Sequence, residues 1–275
     1  MKQDPIAYLK SRFGTQFHFR YMPNGGNLGD NLIAAATVQA LDASGLDWEF
    51  FRDDERGNTD DRRVFIYGGG GSLVDLYAGG INCIKHLMKF SRPIVVLPQT
   101  IRGHSDFWSH APNITVFARD LQSYEYALKF PQLTCLPADD MATNFNMLEP
   151  AFAAIRRYHH SMTATAPISI ALNAFREDDE SRREPDRIRG CSIDLSNLMH
   201  PTLKNRADIY TAAVLFLMSV SGFRLVRTDR LHVSVAAALV GASVELFDNS
   251  YGKNQAVFDF TLRQRFPNIR FMGVK

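Results

Sequence analysis

Polar and hydrophobic positions along the first half of the chain follow a pattern that predicts parallel βαβ units. Short strand-type runs are followed by polar or glycine-rich turns and then by segments with helical spacing, such as Asp30–Ala43, where apolar residues recur on one helix face. Strands that alternate with helical segments are typical of a parallel sheet. The strand-type runs are 18–22, 64–67, 93–97, 114–117 and 133–136.

The second half restarts the same pattern after a connection. Residues 144–166 lack a clear strand and include a basic helical patch at Arg156, Arg157, His159 and His160. Two Rossmann-like α/β domains that face a cleft are therefore predicted, over residues 1–146 and 147–275. In this half, strands are predicted at 168–172, 223–227 and 243–247, helices at 207–220 and 231–240, and a densely charged loop at 176–189.

The turn between a predicted strand and helix at Thr228–His232 carries the strongest chemical signal. A helix amino end offers unpaired N–H groups and a partial positive charge, which favour phosphate or carboxylate. Arg230 adds a planar, permanently charged guanidinium, and His232 adds a group that exchanges protons near neutral pH. This combination predicts an anion site beside a proton donor.

Further candidate residues follow other predicted strands, at the sheet edge where ligands of open parallel sheets bind. Each has a structural alternative. The turn Gly25–Asp30 resembles neither a dinucleotide-binding nor a P-loop motif, so Asp30 is either functional or a helix cap. Arg176 either binds an anion or forms ion pairs within its charged loop, and Lys253 either reaches an anion or lies in solvent. The candidates are Asn27, Asp30, Gly70, Gln99, Arg176 and Lys253.

Composition narrows the function classes. The formal net charge of +2 argues against a protein that binds duplex nucleic acid, which usually carries a concentrated basic surplus. No cysteines or histidines have metal-ligand spacing, so no metal is expected. The amino terminus lacks the apolar core of a signal peptide, and no apolar run approaches ~18 residues. A soluble, cytoplasmic protein is predicted.

Six motifs occur in a fixed order along residues 24–254: Asn27–Asn31, Tyr67–Gly71, Leu97–Thr100, Ala118–Asp120, Thr228–His232 and Asp248–Lys253. Together they resemble the polysaccharide pyruvyltransferase family, especially its bacterial exopolysaccharide ketal-forming members. The Arg-Leu-His turn and the late Asp-Asn-Ser-Tyr-Gly-Lys segment are the most specific parts of the resemblance.

The resemblance implies a GT-B-like fold and an enzyme that transfers pyruvate from phosphoenolpyruvate, without a cofactor. The implied acceptor is a terminal sugar of an exopolysaccharide or of its lipid-linked precursor, which is compatible with attachment to the inner face of the cytoplasmic membrane. Arg230, Leu231 and Arg176 would hold the donor, with Arg182, Arg183 and Arg187 as alternatives to Arg176.

The mechanism expected from these residues assigns His232 as the acid and Asp30, or less favourably Asp120, as the base for the sugar hydroxyl. The first domain would bind the acceptor and the second the donor. The alternative functions are a nucleotide-sugar-dependent glycosyltransferase of the same fold and a non-catalytic glycan-binding protein.

Overall fold

The chain folds around two parallel β-sheets, one in each of two structural units, so the predicted α/β class is confirmed. The computed structural model describes residues 1–53, 62–165, 171–181 and 192–273. The first unit comprises Met1–Asn24 and Thr37–Met141, and the second comprises Gly25–Ala36 and Ala142–Lys275. The sequence pattern predicted a single domain boundary after residue 146. It did not indicate that residues 25–36 belong to the second unit.

The first unit contains the larger sheet. Its described strands are β1 His18–Met22, β2 Asp47–Phe50, β3 Arg63–Tyr67, β4 Gly70–Val74, β5 Ile94–Arg102, β6 Ile114–Ala118 and β7 Thr134–Pro137. They run in the order β2-β1-β3-β5-β6-β7, with β4 beside β5, and all pairings between these described strands are parallel. The helices that begin before Met141 are α1 Pro5–Phe13, α2 Leu28–Ser44, α3 Gly79–Met88, α4 Ser105–Trp108 and α5 Leu121–Ala127.

The core of this unit explains why its central strands are almost wholly apolar. All five residues of β3 are buried, as expected for a parallel strand that is covered on both faces. Helix α3 buries Ile81, Ile84 and Leu87, which share one cluster with Phe65 and Val96 of the sheet. Their spacing of three residues places these side chains on one helix face.

Strand β5 continues through Pro98, where the sequence predicted its end. Proline has no N–H to give to a β-ladder, and the register between β5 and β6 shifts between Val96 and Gln99. Because the pairing is irregular at Pro98, the missing N–H does not end the strand. β5 continues to Arg102 and includes Gln99 and Thr100.

From the sequence, the glycine run 68–71 was open to two interpretations, close approach of a ligand to the backbone or a tight turn; in the structure it is partly a strand. β4 begins at Gly70, which pairs with Gln99 of β5 and has a φ of 145°, a value that favours glycine. A Cβ on Gly68 would lie 2.4 Å from the backbone nitrogen of Asn24. The close approach made by this glycine is therefore to the chain itself.

The second unit contains a four-stranded sheet among the described residues. Its order is β11-β10-β9-β8, and all pairings are parallel. The strand predicted at 168–172 begins outside the described residues, and β8 is described from Ala171. The strands are β8 Ala171–Ala174, β9 Leu225–Thr228, β10 Ser243–Leu246 and β11 Ile269–Phe271. The α-helices are α6 Pro150–Thr165, α7 Arg206–Ser221, α8 Leu231–Val240, α9 Lys253–Val257 and α10 Arg263–Arg265. A π-helix lies at Phe258–Leu262, and 3₁₀ turns lie at Met141–Asn144 and Leu195–Leu198.

A buried ion pair ties the carboxyl ends of three strands in the first unit. Arg119 follows β6 and contacts Asp140, which follows β7, at 2.6 Å, and both side chains are 1% exposed. Arg119 also donates to the hydroxyl of Thr100 in β5 at 3.0 Å. The motif Ala118–Asp120 therefore contains a structural arginine.

Asp140→Ala is expected to lower the free energy of unfolding by about 3–5 kcal/mol, because Arg119 would keep a buried charge without its partner. The control is Asp139→Ala, which removes the neighbouring ion pair with Lys2, where the side chains are 18% and 31% exposed. That change is expected to cost about 1 kcal/mol or less. Urea denaturation measures both, and equal losses would contradict this account of Arg119.

Candidate functional site

The turn between β9 and α8 is fixed by hydrogen bonds that leave its helix end uncapped. Thr228 donates from Oγ1 to the carbonyl of Ala174 at 2.6 Å and accepts from the N–H of Arg230 at 2.9 Å. Asp229 accepts from the N–H of Arg176 at 2.7 Å. Arg230 is the N-cap residue of α8, and no side chain caps this helix. The amino end of α8 thus has the properties of an anion site.

The first turn of α2 lies against His232, within the second unit. A Cβ on Gly29 would be 2.9 Å from both Cβ and Nδ1 of His232. Around this contact, the side chain of Asn27 accepts from the N–H of Gly29 at 2.8 Å, and Asp30 accepts from the N–H of Asn27 at 3.1 Å. The amino ends of α2 and α8 therefore meet at His232, and their partial positive charges add there.

Six alternating charges, which we call the charge ladder, lie next to this turn in the second unit. They are Asp194, Arg230, Asp178, Arg176, Glu180 and Lys253. The ladder joins three cationic groups to three carboxylates, so its charges balance. It connects the segment after β8 with the turns that follow β9 and β10.

The guanidinium group of Arg230 forms ion pairs with two carboxylates. Its Nε and Nη2 donate to the two oxygens of Asp194, the first at 2.9 Å, and its Nη1 contacts Asp178 at 2.8 Å. The arginine is 5% exposed and Asp194 is 7% exposed. Three of the five N–H bonds of the guanidinium thus have protein partners.

Arg176 and Lys253 share the carboxylate of Glu180. Arg176 donates to Glu180 at 2.6 Å and to both oxygens of Asp178 at 2.7 and 3.1 Å. Lys253 donates from Nζ to Glu180, and Asn249 donates to the same oxygen at 3.0 Å. Lys253 therefore lies in a buried ion pair and not in solvent.

The ladder changes the acidity of its carboxyl groups. Burial raises the pKa of Glu180, but the charges of Lys253 and Arg176 outweigh burial and hold it well below its ordinary value of 4.5. Burial likewise raises the pKa of Asp178, and hydrogen bonding and charge from Arg176, with the charge of Arg230, lower it overall. Both carboxylates are therefore ionised at neutral pH.

A cavity of about 340 Å³ borders the ladder, within the range of small-molecule sites. Two of its lining residues, Asp178 and Asp194, are the carboxylates that hold Arg230. The lining residues are Glu177, Asp178, Ser192, Ile193, Asp194, Asn197 and Leu198. A small ligand in this cavity would contact the carboxylate side of the ladder.

The structure places seven of the nine predicted site residues in the second unit. These are Asn27, Asp30, Arg176, Arg230, Leu231, His232 and Lys253. Arg176 adopts the predicted alternative of ion pairing within its charged loop, and its donor-binding role stays a prediction. The competing candidates Arg182, Arg183 and Arg187 lie outside the described residues.

Gly70 and Gln99 lie in the first unit, where Gly70 is the first residue of β4 and Gln99 pairs with it from within β5. Gln99 is fully buried and donates from Nε2 to the carbonyl of Gly68 at 2.7 Å, which fixes the orientation of its amide. Its Oε1 has no hydrogen-bond partner among the described residues. Asp120, the second candidate base, caps α5 through Ser123 and pairs with Arg102 at 3.1 Å, a structural role.

The sequence interpretation missed the acids of the ladder. Asp178 and Glu180 lie in the loop that was predicted to contain internal ion pairs, so their spacing from Arg176 was the available signal. For Asp194 the sequence held no such signal, because its contact with Arg230 spans 36 positions along the chain.

In the described part of the chain, no cluster of acidic, histidine or cysteine side chains could hold a metal ion. No described helix is long and apolar enough to cross a membrane.

Residues 27–135 match the model of the polysaccharide pyruvyl transferase family. The match confirms the predicted resemblance over this part of the chain, while the Arg-Leu-His turn and the segment 248–253 lie beyond it. A crystal structure of a protein of uncharacterized function from Klebsiella pneumoniae subsp. pneumoniae NTUH-K2044 is similar over 97% of this chain and 96% of that chain, with 28% identity and a TM-score of 0.79. No curated protein matches the chain.

Gly29→Ala is expected to displace the His232 side chain while the protein stays folded, because the new methyl group would overlap the imidazole. Gly25→Ala is the matched control, since a Cβ there meets nothing within 4 Å. The histidine ¹H–¹⁵N NMR signals measure the displacement. A His232 signal that is unchanged in Gly29→Ala, or shifted equally in Gly25→Ala, would refute the contact.

The charge ladder predicts that acid destabilises the second unit. The folded-state pKa of Glu180 is depressed, so its stabilising contribution is present above its ordinary value of 4.5 and is lost as the pH falls below it. Glu180→Gln should lower stability at pH 7 and flatten its decline towards pH 3, as measured by urea denaturation. The exposed Glu177→Gln serves as control; an unchanged pH dependence in Glu180→Gln would contradict the ladder.

Proposed function

We propose that this protein transfers pyruvate from phosphoenolpyruvate to a terminal sugar of an exopolysaccharide or its lipid-linked precursor, forming a cyclic ketal and releasing phosphate. The family match supports polysaccharide pyruvyl transferase activity and a polysaccharide acceptor. The observation that carries the proposal is the meeting of the amino ends of α2 and α8 at His232. That arrangement combines an anion site with a proton donor.

The phosphate of the donor binds at the helix ends, because the charge ladder carries no surplus positive charge to attract it. The first turn of α8, with Leu231 and no side-chain cap, supplies N–H groups and the helix dipole. Asp194 and Asp178 use three of the five N–H bonds of the Arg230 guanidinium. The other two N–H bonds are available to the donor carboxylate.

His232 acts as the acid in this proposal. Its proton passes to the methylene carbon of phosphoenolpyruvate, which makes C2 electrophilic. A sugar hydroxyl forms a bond to C2 and gives its proton to a base, for which Asp30 is the candidate. The bond from C2 to the phosphate oxygen then breaks, phosphate leaves, and a second hydroxyl of the same sugar closes the ketal and releases its proton.

The first unit is proposed to bind the acceptor. Gly70 begins β4 three residues after the carboxyl end of β3, and Gln99 pairs with it from within β5, close to the edge where parallel sheets hold ligands. The unpartnered Oε1 of Gln99 is a hydrogen-bond acceptor of the kind that a sugar hydroxyl satisfies. Lys253, which was predicted to bind substrate, supports the donor site indirectly through Glu180.

The proposal includes three finer parts that the sequence pattern and the family resemblance predicted. They are the GT-B-like arrangement of two domains, the use of phosphoenolpyruvate without a cofactor, and a cytoplasmic location with peripheral attachment to the membrane. Phosphoenolpyruvate and the acceptor are the proposed binding partners, and nucleic acid is not one.

His232→Ala is expected to lower kcat for phosphate release by ~10²–10⁴-fold, because it removes general acid catalysis. Donor binding should persist, seen as a rise in melting temperature with phosphoenolpyruvate. Stabilisation reaches about 2.7 kcal/mol at 100 times Kd. The control is His110→Ala, an exposed histidine of the first unit. Full turnover in His232→Ala would refute the acid assignment.

The variant Arg230→Lys tests whether Arg230 binds phosphoenolpyruvate, and a parallel titration with UDP-sugars tests the alternative glycosyltransferase function. The variant keeps the charge that Asp194 requires but loses the planar fork, so the apparent Kd for phosphoenolpyruvate should rise at least ~10-fold. The parent protein is titrated with UDP-sugars in parallel. A melting-temperature rise with UDP-sugars alone would favour the glycosyltransferase and contradict pyruvyl transfer.

A further inference from the structure

We infer that the exposed face of α6 is a docking surface for an anionic phospholipid membrane. One stripe of this helix packs into the second unit through Phe152, Ile155 and His159, which are 0%, 4% and 7% exposed. Phe152 contacts the ring of Tyr210, and His159 pairs with the carbonyl of Ser221 at 2.7 Å. These contacts fix the helix and leave its opposite side exposed.

The exposed side of α6 is basic and partly apolar. Arg156, Arg157 and His160 are exposed, and so are Tyr158 and Met162, at 42% and 43%. Within the described residues, neither Arg156 nor Arg157 forms an ion pair. The helix sequence PAFAAIRRYHHSMTAT contains no acidic residue.

This composition differs from that of an ordinary solvated helix. Helices that face only water usually interleave acidic and basic residues, whose pairs at a spacing of four positions stabilise them. Neither arginine has an acidic residue three or four positions away within the helix, and an exposed tyrosine and methionine gain nothing from water. Anionic headgroups would neutralise the arginines while the headgroup region takes up the aromatic and thioether side chains.

The chemistry favours a lipid surface over nucleic acid. The whole chain carries a formal net charge of only +2, which is too small for a general nucleic-acid binder. A short amphipathic segment with two or three cationic groups and adjacent apolar side chains suits weak, reversible attachment to an anionic bilayer. The inference rests on the membrane attachment that belongs to the proposed function and assigns it to a surface. It uses no residue of the candidate site, so its failure leaves the proposed pyruvyl transfer untouched.

The test is co-sedimentation of the full-length protein with vesicles. Vesicles of phosphatidylcholine with phosphatidylglycerol should bind the protein, and vesicles of phosphatidylcholine alone should not. Arg156→Glu combined with Arg157→Glu should weaken the partition coefficient at least ~25-fold, because each basic residue near an anionic surface contributes about fivefold. Bound protein should also decrease as salt rises.

The matched control is Lys10→Glu with Arg12→Glu, the same charge change on the exposed end of α1 in the first unit. It should alter the partition coefficient less than ~2-fold, since these residues lie outside the proposed surface. Circular dichroism confirms that each variant is folded. Absence of binding to the anionic vesicles, equal loss in both double variants, or release of the protein from vesicles by duplex DNA would each overturn the proposal.

Discussion

The charge ladder of the second unit is the interaction on which the candidate site depends. Parallel strands deliver their polar turns to one edge of a sheet, and three of those turns here contribute cationic and anionic groups at buried positions. A buried charge without a partner is strongly destabilising, so Arg230 and Arg176 require Asp194, Asp178 and Glu180 nearby. The ladder thereby fixes the turn that begins α8 and, with it, the position of His232.

Because the positive and negative charges of the ladder balance, the ladder is not the main source of affinity for an anionic donor. Guanidinium groups that already hold carboxylates attract a phosphate weakly, whereas helix amino ends have N–H groups that point outward. The first turns of α2 and α8 supply two such ends beside one imidazole. In this account the helix ends provide the electrostatic field for the donor phosphate, and Arg230 adds its two remaining N–H bonds for the donor carboxylate. A fixed dipole of this kind requires no reorganisation during the reaction.

Local patterns predicted most elements, whereas strand β4 and much of the charge ladder depend on long-range contacts. The runs at 18–22 and 231–240 form the predicted strand and helix, because their apolar spacing suits the burial that they meet. Strand β4 was not predicted, since glycine-rich sequence carries no strand propensity and Gly70 forms a strand through pairing with Gln99. The ladder could be predicted only in part, because Asp194 reaches Arg230 through the fold and not through spacing.

The central claim is that the helix ends at His232 form the phosphoenolpyruvate site, and a crystal structure of the protein soaked with phosphoenolpyruvate tests it most directly. The account predicts that the phosphate lies within hydrogen-bond distance of backbone N–H groups in the first turn of α8, with the methylene carbon facing the imidazole of His232. A well-ordered donor bound elsewhere, or with its methylene carbon turned away from His232, would contradict the account.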